Sequence, residues 1–192
     1  LPTTMMILFV APIAGKLGPR IGPRALMTFG MLTATVGLVG LSFIDIGTSY
    51  NAIWPFQMLL GIGLASTMPA SAATAMGAVD HAKAGVASGV VNASRQVGGA
   101  LGIAVLGGIG STLAANAWAD KIAPLPPARQ ALAEKLTPLV QGGRGNVVER
   151  LTGSPKAGAA ALDSFMNGVH AALLTAGALT FVAALVALIG LR

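Results

Sequence analysis

The chain has 192 residues, of which 54% are hydrophobic and only 9% charged, with a net charge of +6 and a mean hydropathy of +0.77. A soluble domain carries about 25% charged residues, so this chain lacks the charge to cover a water-facing surface, and the lipid bilayer is its expected solvent. The twelve Lys and Arg sit in loops and at helix ends with few aromatics between them, which favours positive-inside membrane topology and excludes a nucleic-acid partner.

Five apolar segments follow in chain order, with expected bounds 1–14, 25–44, 53–78, 97–117 and 169–191. The first is short of the roughly 20 residues that cross a bilayer and lacks the basic start of a signal peptide, so the expectation is a fragment that opens inside a membrane helix. Next comes "GKLGPRIGPR" (Gly15–Arg24), three glycines, two prolines and three bases without an acid. It reads as a tight turn held in the cytoplasm by Lys16, Arg20 and Arg24. It does not read as a phosphate loop, because no Ser or Thr follows the Lys in the required pattern.

The second connection, "DIGTSYN", holds Asp45 and no base, and the third, "DHAKAG", holds Lys83 with Arg95 beyond it. Alternation then puts the first and third connections and the C-terminus at Arg192 in the cytoplasm. Tyr50, Trp54 and Trp118 fall at the expected outer interface, where aromatic rings prefer to lie. The stretch 118–168 is a long outer loop with six Lys or Arg, near the length at which the charge rule stops applying. Within it, Pro127 suits the start of a short helix with Leu132, Leu136 and Val140 on one face. Asn146–Leu151 suits a second, and "GGRG" (Gly142–Gly145) separates them. An amphipathic hairpin and a disordered tether both remain open.

The third segment is the most polar. At 100° per residue, Phe56, Gly63, Thr67, Ser71 and Thr74 share a face, with Met68 beside them. Lipid disfavours such a stripe, so it faces either a wet substrate cavity or a buried interhelical seam whose hydroxyls bond back to their own helix. Pro69 removes a ladder bond there and serves either a moving kink or a static bend. The polar cluster Asn92–Gln96, with Asn92, Arg95 and Gln96, stands at the edge of the fourth segment and reads as a gate contact or a snorkelling anchor. Small residues recur at every fourth position, Gly85, Gly89, Ala93 then Gly98, Gly102, and again Gly168, Ala172, Ala176, Thr180, Ala184, as helix-packing rails do.

Charge chemistry inside the spans is sparse. Asp45 and Asp80 lie at segment ends and the other four acids in the long loop, so a protonatable membrane carboxylate must come from elsewhere if the protein moves protons. His170, at the outer end of the last segment, reads as an interfacial residue before a switch. "GVASG" (Gly85–Gly89) lacks the spacing of a serine-protease motif, and an enzyme is not expected. With no cysteine and two isolated His, neither a metal site nor any cofactor is expected.

At this point a family resemblance emerges. The chain resembles the C-terminal half of a major facilitator superfamily transporter, in the fourteen-helix drug:proton antiporter branch. Gly15, Leu17, Arg20, Gly22 and Arg24 keep the spacing of the superfamily's basic cytoplasmic loop motif. Leu59–Gly107 is similar to that branch's antepenultimate-to-penultimate helix region, and a long outer loop before the last helix is a habit of the branch. Pro19 stands where the motif carries an acid that helps lock one conformation, so that lock is not assigned.

The resemblance implies an all-α membrane protein forming the last five helices of a six-helix half. The third segment would line the central cavity, the first and fourth the interface between halves, and the second and fifth the outside. It implies alternating access, with proton influx driving efflux of a small amphiphilic compound across a bacterial inner membrane. The missing N-terminal half would be the partner. A metabolite exporter of the same fold and a non-transporting membrane scaffold subunit are the alternatives.

Overall fold

A computed structural model of the chain describes residues 2–190. Leu1, Leu191 and Arg192, including the C-terminal base used above for orientation, lie outside the described residues. The elements are α1 (Pro2–Ile21), α2 (Pro23–Leu41), α3 (Tyr50–Gly77), a 3₁₀ turn (His81–Lys83), α4 (Ala84–Ile122), α5 (Pro127–Glu134), α6 (Thr137–Gln141), α7 (Gly145–Thr152) and α8 (Pro155–Gly190). The helices α1, α2, α3, α4 and α8 are long and apolar enough to cross a membrane.

Prolines punctuate this order. Pro23, Pro127 and Pro155 each occupy the first residue of a helix, where a missing N–H costs nothing. No proline follows within α4, which runs for 39 residues, or within α8, which runs for 36. At 1.5 Å per residue α4 is about 58 Å long, well beyond a hydrocarbon core of about 30 Å. Both helices therefore extend past the apolar segments that periodicity marks out.

The first helix also runs further than its apolar run. The Gly15–Arg20 stretch is helical, and α1 carries Pro12 and Pro19 in its interior. Proline in a membrane helix forfeits a ladder bond that its surroundings can offset. The break comes at Gly22, whose φ of +89° is a left-handed conformation that glycine adopts without strain. Its N–H donates to the Gly18 carbonyl at 2.9 Å, closing the last turn before Pro23 starts α2. The turn is thus shorter than the decapeptide, with Lys16 and Arg20 on α1 and Arg24 on α2.

The chain divides into two compact units. The first holds α1, α2, α3, α4 up to Gly102, and α8 from Leu174. Its helices approach through small residues, as packing in lipid requires. A Cβ on Gly63 of α3 would come within 2.5 Å of the Gly30 carbonyl oxygen and 2.7 Å of the Ala34 Cβ on α2. On the other side of α3, a Cβ on Gly61 would meet the Thr3 carbonyl of α1 at 2.6 Å, and the Thr3 hydroxyl donates to the Gln57 carbonyl at 3.1 Å. Gly177 of α8 packs on Val39 of α2.

The second unit holds Ser42–Thr48 and Ile103–Leu173. Its core is Trp118, Ile122, Ala133, Leu136, Val140, Val148 and Ala161. The stretch expected as an outer loop is therefore a small helical unit with a core of its own. Trp118, expected at the outer interface, is only 3% exposed within this unit, and its indole N–H donates to the Ala133 carbonyl at 3.0 Å. Leu136 and Val140 are buried but Leu132 is 58% exposed, because α5 ends at Glu134 and the chain re-enters α6 on a different rotation. Gly143, with φ +68°, separates α6 from α7. The α8 rail begins here, where Gly168 and Gly110 bring α8 and α4 into backbone contact with Ala114 alongside.

Candidate functional site

The polar stripe of α3 divides when its neighbours are known. Phe56 lies over Gly40 of α2, Gly63 abuts Gly30, and the Thr67 hydroxyl would stand 2.5 Å from a Cβ at Gly30. These three residues form the α2–α3 seam. Met68 is 49% exposed, while Ser71 and Thr74 are half-buried. Every hydroxyl of the stripe donates to its own helix: Thr67 to the Gly63 carbonyl at 2.8 Å, Ser71 to Met68 at 2.9 Å and Thr74 to Ala70 at 2.9 Å. Such back-bonds bend helices, and Ser66 adds another to Ile62 at 2.8 Å. Pro69 stands among them and leaves the Ala65 carbonyl without its ladder N–H. One stretch of α3 therefore collects a proline and four back-bonded hydroxyls.

Arg95 of α4 reaches this stretch. Its Nη2 donates to the Met68 carbonyl and to the Ser71 hydroxyl oxygen, both at 2.9 Å. With the Ser71 hydroxyl donating to the same carbonyl, the three groups close a small network immediately beside Pro69. The sequence offered a gate contact or a lipid anchor for Arg95, and neither reading named α3 as its partner. No sequence signal pairs positions 24 and 27 residues apart across a turn. Asn92 and Gln96 flank Arg95 on α4 and are exposed.

The basic motif converges on the same stretch from below. Gly15, Leu17 and Arg20 lie on α1, Gly22 at the break and Arg24 on α2. A cavity of about 280 Å³ lies between the α1–α2 turn and the Pro69 stretch of α3, with Gly15, Gly18, Pro19, Pro23, Pro69 and Ala73 in its lining. Beside it Ala14, Leu26 and Ala70 form a buried apolar contact. The structure thus brings the motif turn and Arg95 to the Pro69–Ser71 stretch, which the sequence presents as three separate features.

His170 serves elsewhere, in the second unit. Its Nε2–H donates to the Ile44 carbonyl at 2.7 Å, with an Asp45 carboxylate oxygen at 3.9 Å. It ties α8 to the α2–α3 connection. Among the described residues no group of His, Asp and Glu is clustered to hold a metal ion.

Helices of this length and hydropathy, packed through glycines, define a polytopic membrane protein. Residues 1–103 match the family model of the Major Facilitator Superfamily, and the chain belongs to that family of membrane transporters, not to an enzyme family. It is 32% identical over 98% of its length to the tetracenomycin C resistance and export protein of Streptomyces glaucescens, covering 36% of that protein. It is 33% identical over 93% of its length to the multidrug resistance protein Stp of Mycobacterium tuberculosis, covering 34% of it. To the puromycin resistance protein Pur8 of Streptomyces alboniger it is 36% identical over 56% of its length, covering 22%. The chain therefore spans about a third or less of the curated relatives it matches, in a C-terminal portion of them. No solved structure matches.

Proposed function

We propose that the chain is part of a proton-coupled exporter of small amphiphilic compounds, of the fourteen-helix drug:proton antiporter branch, working by alternating access in a bacterial inner membrane. The observation that carries this reading is the Arg95 network. A single guanidinium nitrogen holds a backbone carbonyl and a hydroxyl of α3 beside Pro69. These are hydrogen bonds on a largely exposed side chain, so they are weak enough to break and remake during a transport cycle. Relatives named for drug resistance and export support the substrate class.

In this reading α3 forms one wall of the substrate path, with Met68, Ser71 and Thr74 facing it, while Phe56, Gly63 and Thr67 hold the wall to α2. Met68 supplies a polarisable, adaptable surface suited to varied apolar ligands. Pro69 is the bend, and Arg95, flanked by Asn92 and Gln96, is the tie that sets it. Gly22 makes the cytoplasmic turn, flanked by Gly15, Leu17 and Arg20 on α1 and Arg24 on α2, beside the same stretch of α3. Protons need a membrane carboxylate. In this reading it comes from further spans of the same transporter.

The test is efflux by cells expressing the full-length protein, with tetracenomycin C and puromycin, the compounds for which two of its relatives are named, among those tested. Arg95→Gln is expected to lower efflux several-fold while shifting stability by no more than about 1 kcal/mol, because the tie is exposed. Wild-type efflux of every tested compound by Arg95→Gln and by Ser71→Ala would overturn the reading. Equal loss of folded protein and of efflux would instead indicate a scaffold role.

A further inference from the structure

The second unit contains a pocket that the transport reading does not use. It has a volume of about 470 Å³ and opens between α4, α5 and α7. That size falls within the range of about 300–1,000 Å³ usual for small-molecule sites. Trp118 and Ile122 form its floor, and Leu125, Leu132 and Leu151 line it further out. The last two are 58% and 63% exposed, although both face the same concavity. Large apolar side chains left uncovered around a hollow gain contacts when something apolar fills it.

The polar lining selects what fills it. The Trp118 N–H is committed to the Ala133 carbonyl, and the Thr152 hydroxyl donates to the Val148 carbonyl at 2.8 Å. Arg129 is the one charged residue of the lining, and no acid accompanies it. A guanidinium always carries its proton and presents donors only, so the complementary head group is an anion. We propose that this pocket binds a small anionic amphiphile, with its apolar tail against Trp118 and the three leucines and its acidic head on Arg129. A flat bilayer face is a poor alternative occupant, because it cannot fill a concavity.

Trp118 doubles as the reporter. In the chain carrying Trp54→Phe, reconstituted in phosphatidylcholine nanodiscs, Trp118 is the remaining indole. ω-Bromoundecanoate at alkaline pH is expected to quench it saturably, since bromine quenches only in contact with the ring. Arg129→Gln should raise the half-quenching concentration about five-fold, as expected for a partly exposed ion pair, and Arg129→Lys should restore most of the loss. The uncharged analogue ω-bromoundecanol should quench weakly and equally in both proteins. Leu132→Gln should weaken both quenchers, reading the tail contact independently of the charge. Quenching that rises linearly without saturation would report bilayer partitioning and overturn the proposal, as would equal saturation by acid and alcohol or indifference to Arg129→Gln.

Discussion

At the residue scale, what a polar group does in this protein depends on where its hydrogen bond goes. Thr33, Thr35, Ser66, Thr67, Thr74 and Thr180 all return their hydroxyl to the carbonyl four residues back, so each is satisfied without help from lipid. Thr28 is the contrast. It is 9% exposed and its Oγ1 has no hydrogen-bond partner. A buried hydroxyl left unpaired costs its desolvation with no return, so removing it while keeping the shape should help. Thr28→Val is expected to leave stability unchanged or raise it by about 1 kcal/mol, measured as the thermal midpoint in detergent. A loss of more than that would mean the hydroxyl is satisfied after all. Arg95 belongs at this scale too. Its charge was plain from the sequence, but its partners, the Met68 carbonyl and the Ser71 hydroxyl, lie on another helix, and no local pattern pairs them with it.

At the element scale, the glycines separate into those that hold helices together and those that do not. Gly63 and Gly30 place α2 and α3 so close that a Cβ on either would collide with backbone. Gly63→Ala is therefore expected to cost about 1–3 kcal/mol, the usual effect of forcing atoms into a packed contact. On α4, a Cβ at Gly85, Gly89, Gly98 or Gly102 would meet nothing within 4 Å. Gly98→Ala should thus leave the stability of this chain unchanged or raised, by up to about the 1 kcal/mol difference in helix propensity. Unfolding of the two variants side by side checks both, and equal losses would contradict the distinction. Both rails have the same spacing in the sequence. Only Gly168, at the head of the α8 rail, is shown to need its hydrogen, because only packing decides which small residues are crowded.

The helix ends tell a similar story. The Gly- and Pro-rich run after the first apolar segment reads locally as a turn, yet α1 continues through Pro19 to Ile21. Local propensity is a weak prior when a helix is packed along its length, as α1 is on α3 through Gly61 and Thr3. The second unit shows the opposite case. Pro127, Gly143 and the apolar spacing around them were legible as short helices, since backbone constraints of that kind act within a few residues. That Leu136 and Val140 would be buried and Leu132 exposed was not legible, because the rotation between α5 and α6 has no local signature.

At the scale of the whole molecule, orientation in the bilayer is the next quantity to measure. Lys16, Arg20 and Arg24 surround the α1–α2 turn without an acid, and the positive-inside rule assigns that turn to the cytoplasm. Lys16 is exposed, so a cysteine there should react freely once the reagent reaches its side. Lys16→Cys is expected to label with a membrane-impermeant maleimide in inside-out vesicles and not in intact cells. Labelling in intact cells would reverse the assignment.

Composition and hydropathy alone were enough to make this an all-helical membrane protein with five long apolar segments. The reason is that a backbone in lipid has few ways to satisfy itself, and a helix of about 20 apolar residues is the simplest. The spacing of the basic motif and the Leu59–Gly107 stretch were enough to suggest the superfamily to which the chain belongs. Only the tertiary structure decided that Phe56, Gly63 and Thr67 seal α3 to α2, that Arg95 ties α4 to α3 beside Pro69, and that Trp118 is a core residue facing a pocket. Periodicity tells which residues share a face, but not which neighbour meets that face, since that depends on contacts between residues far apart in the chain.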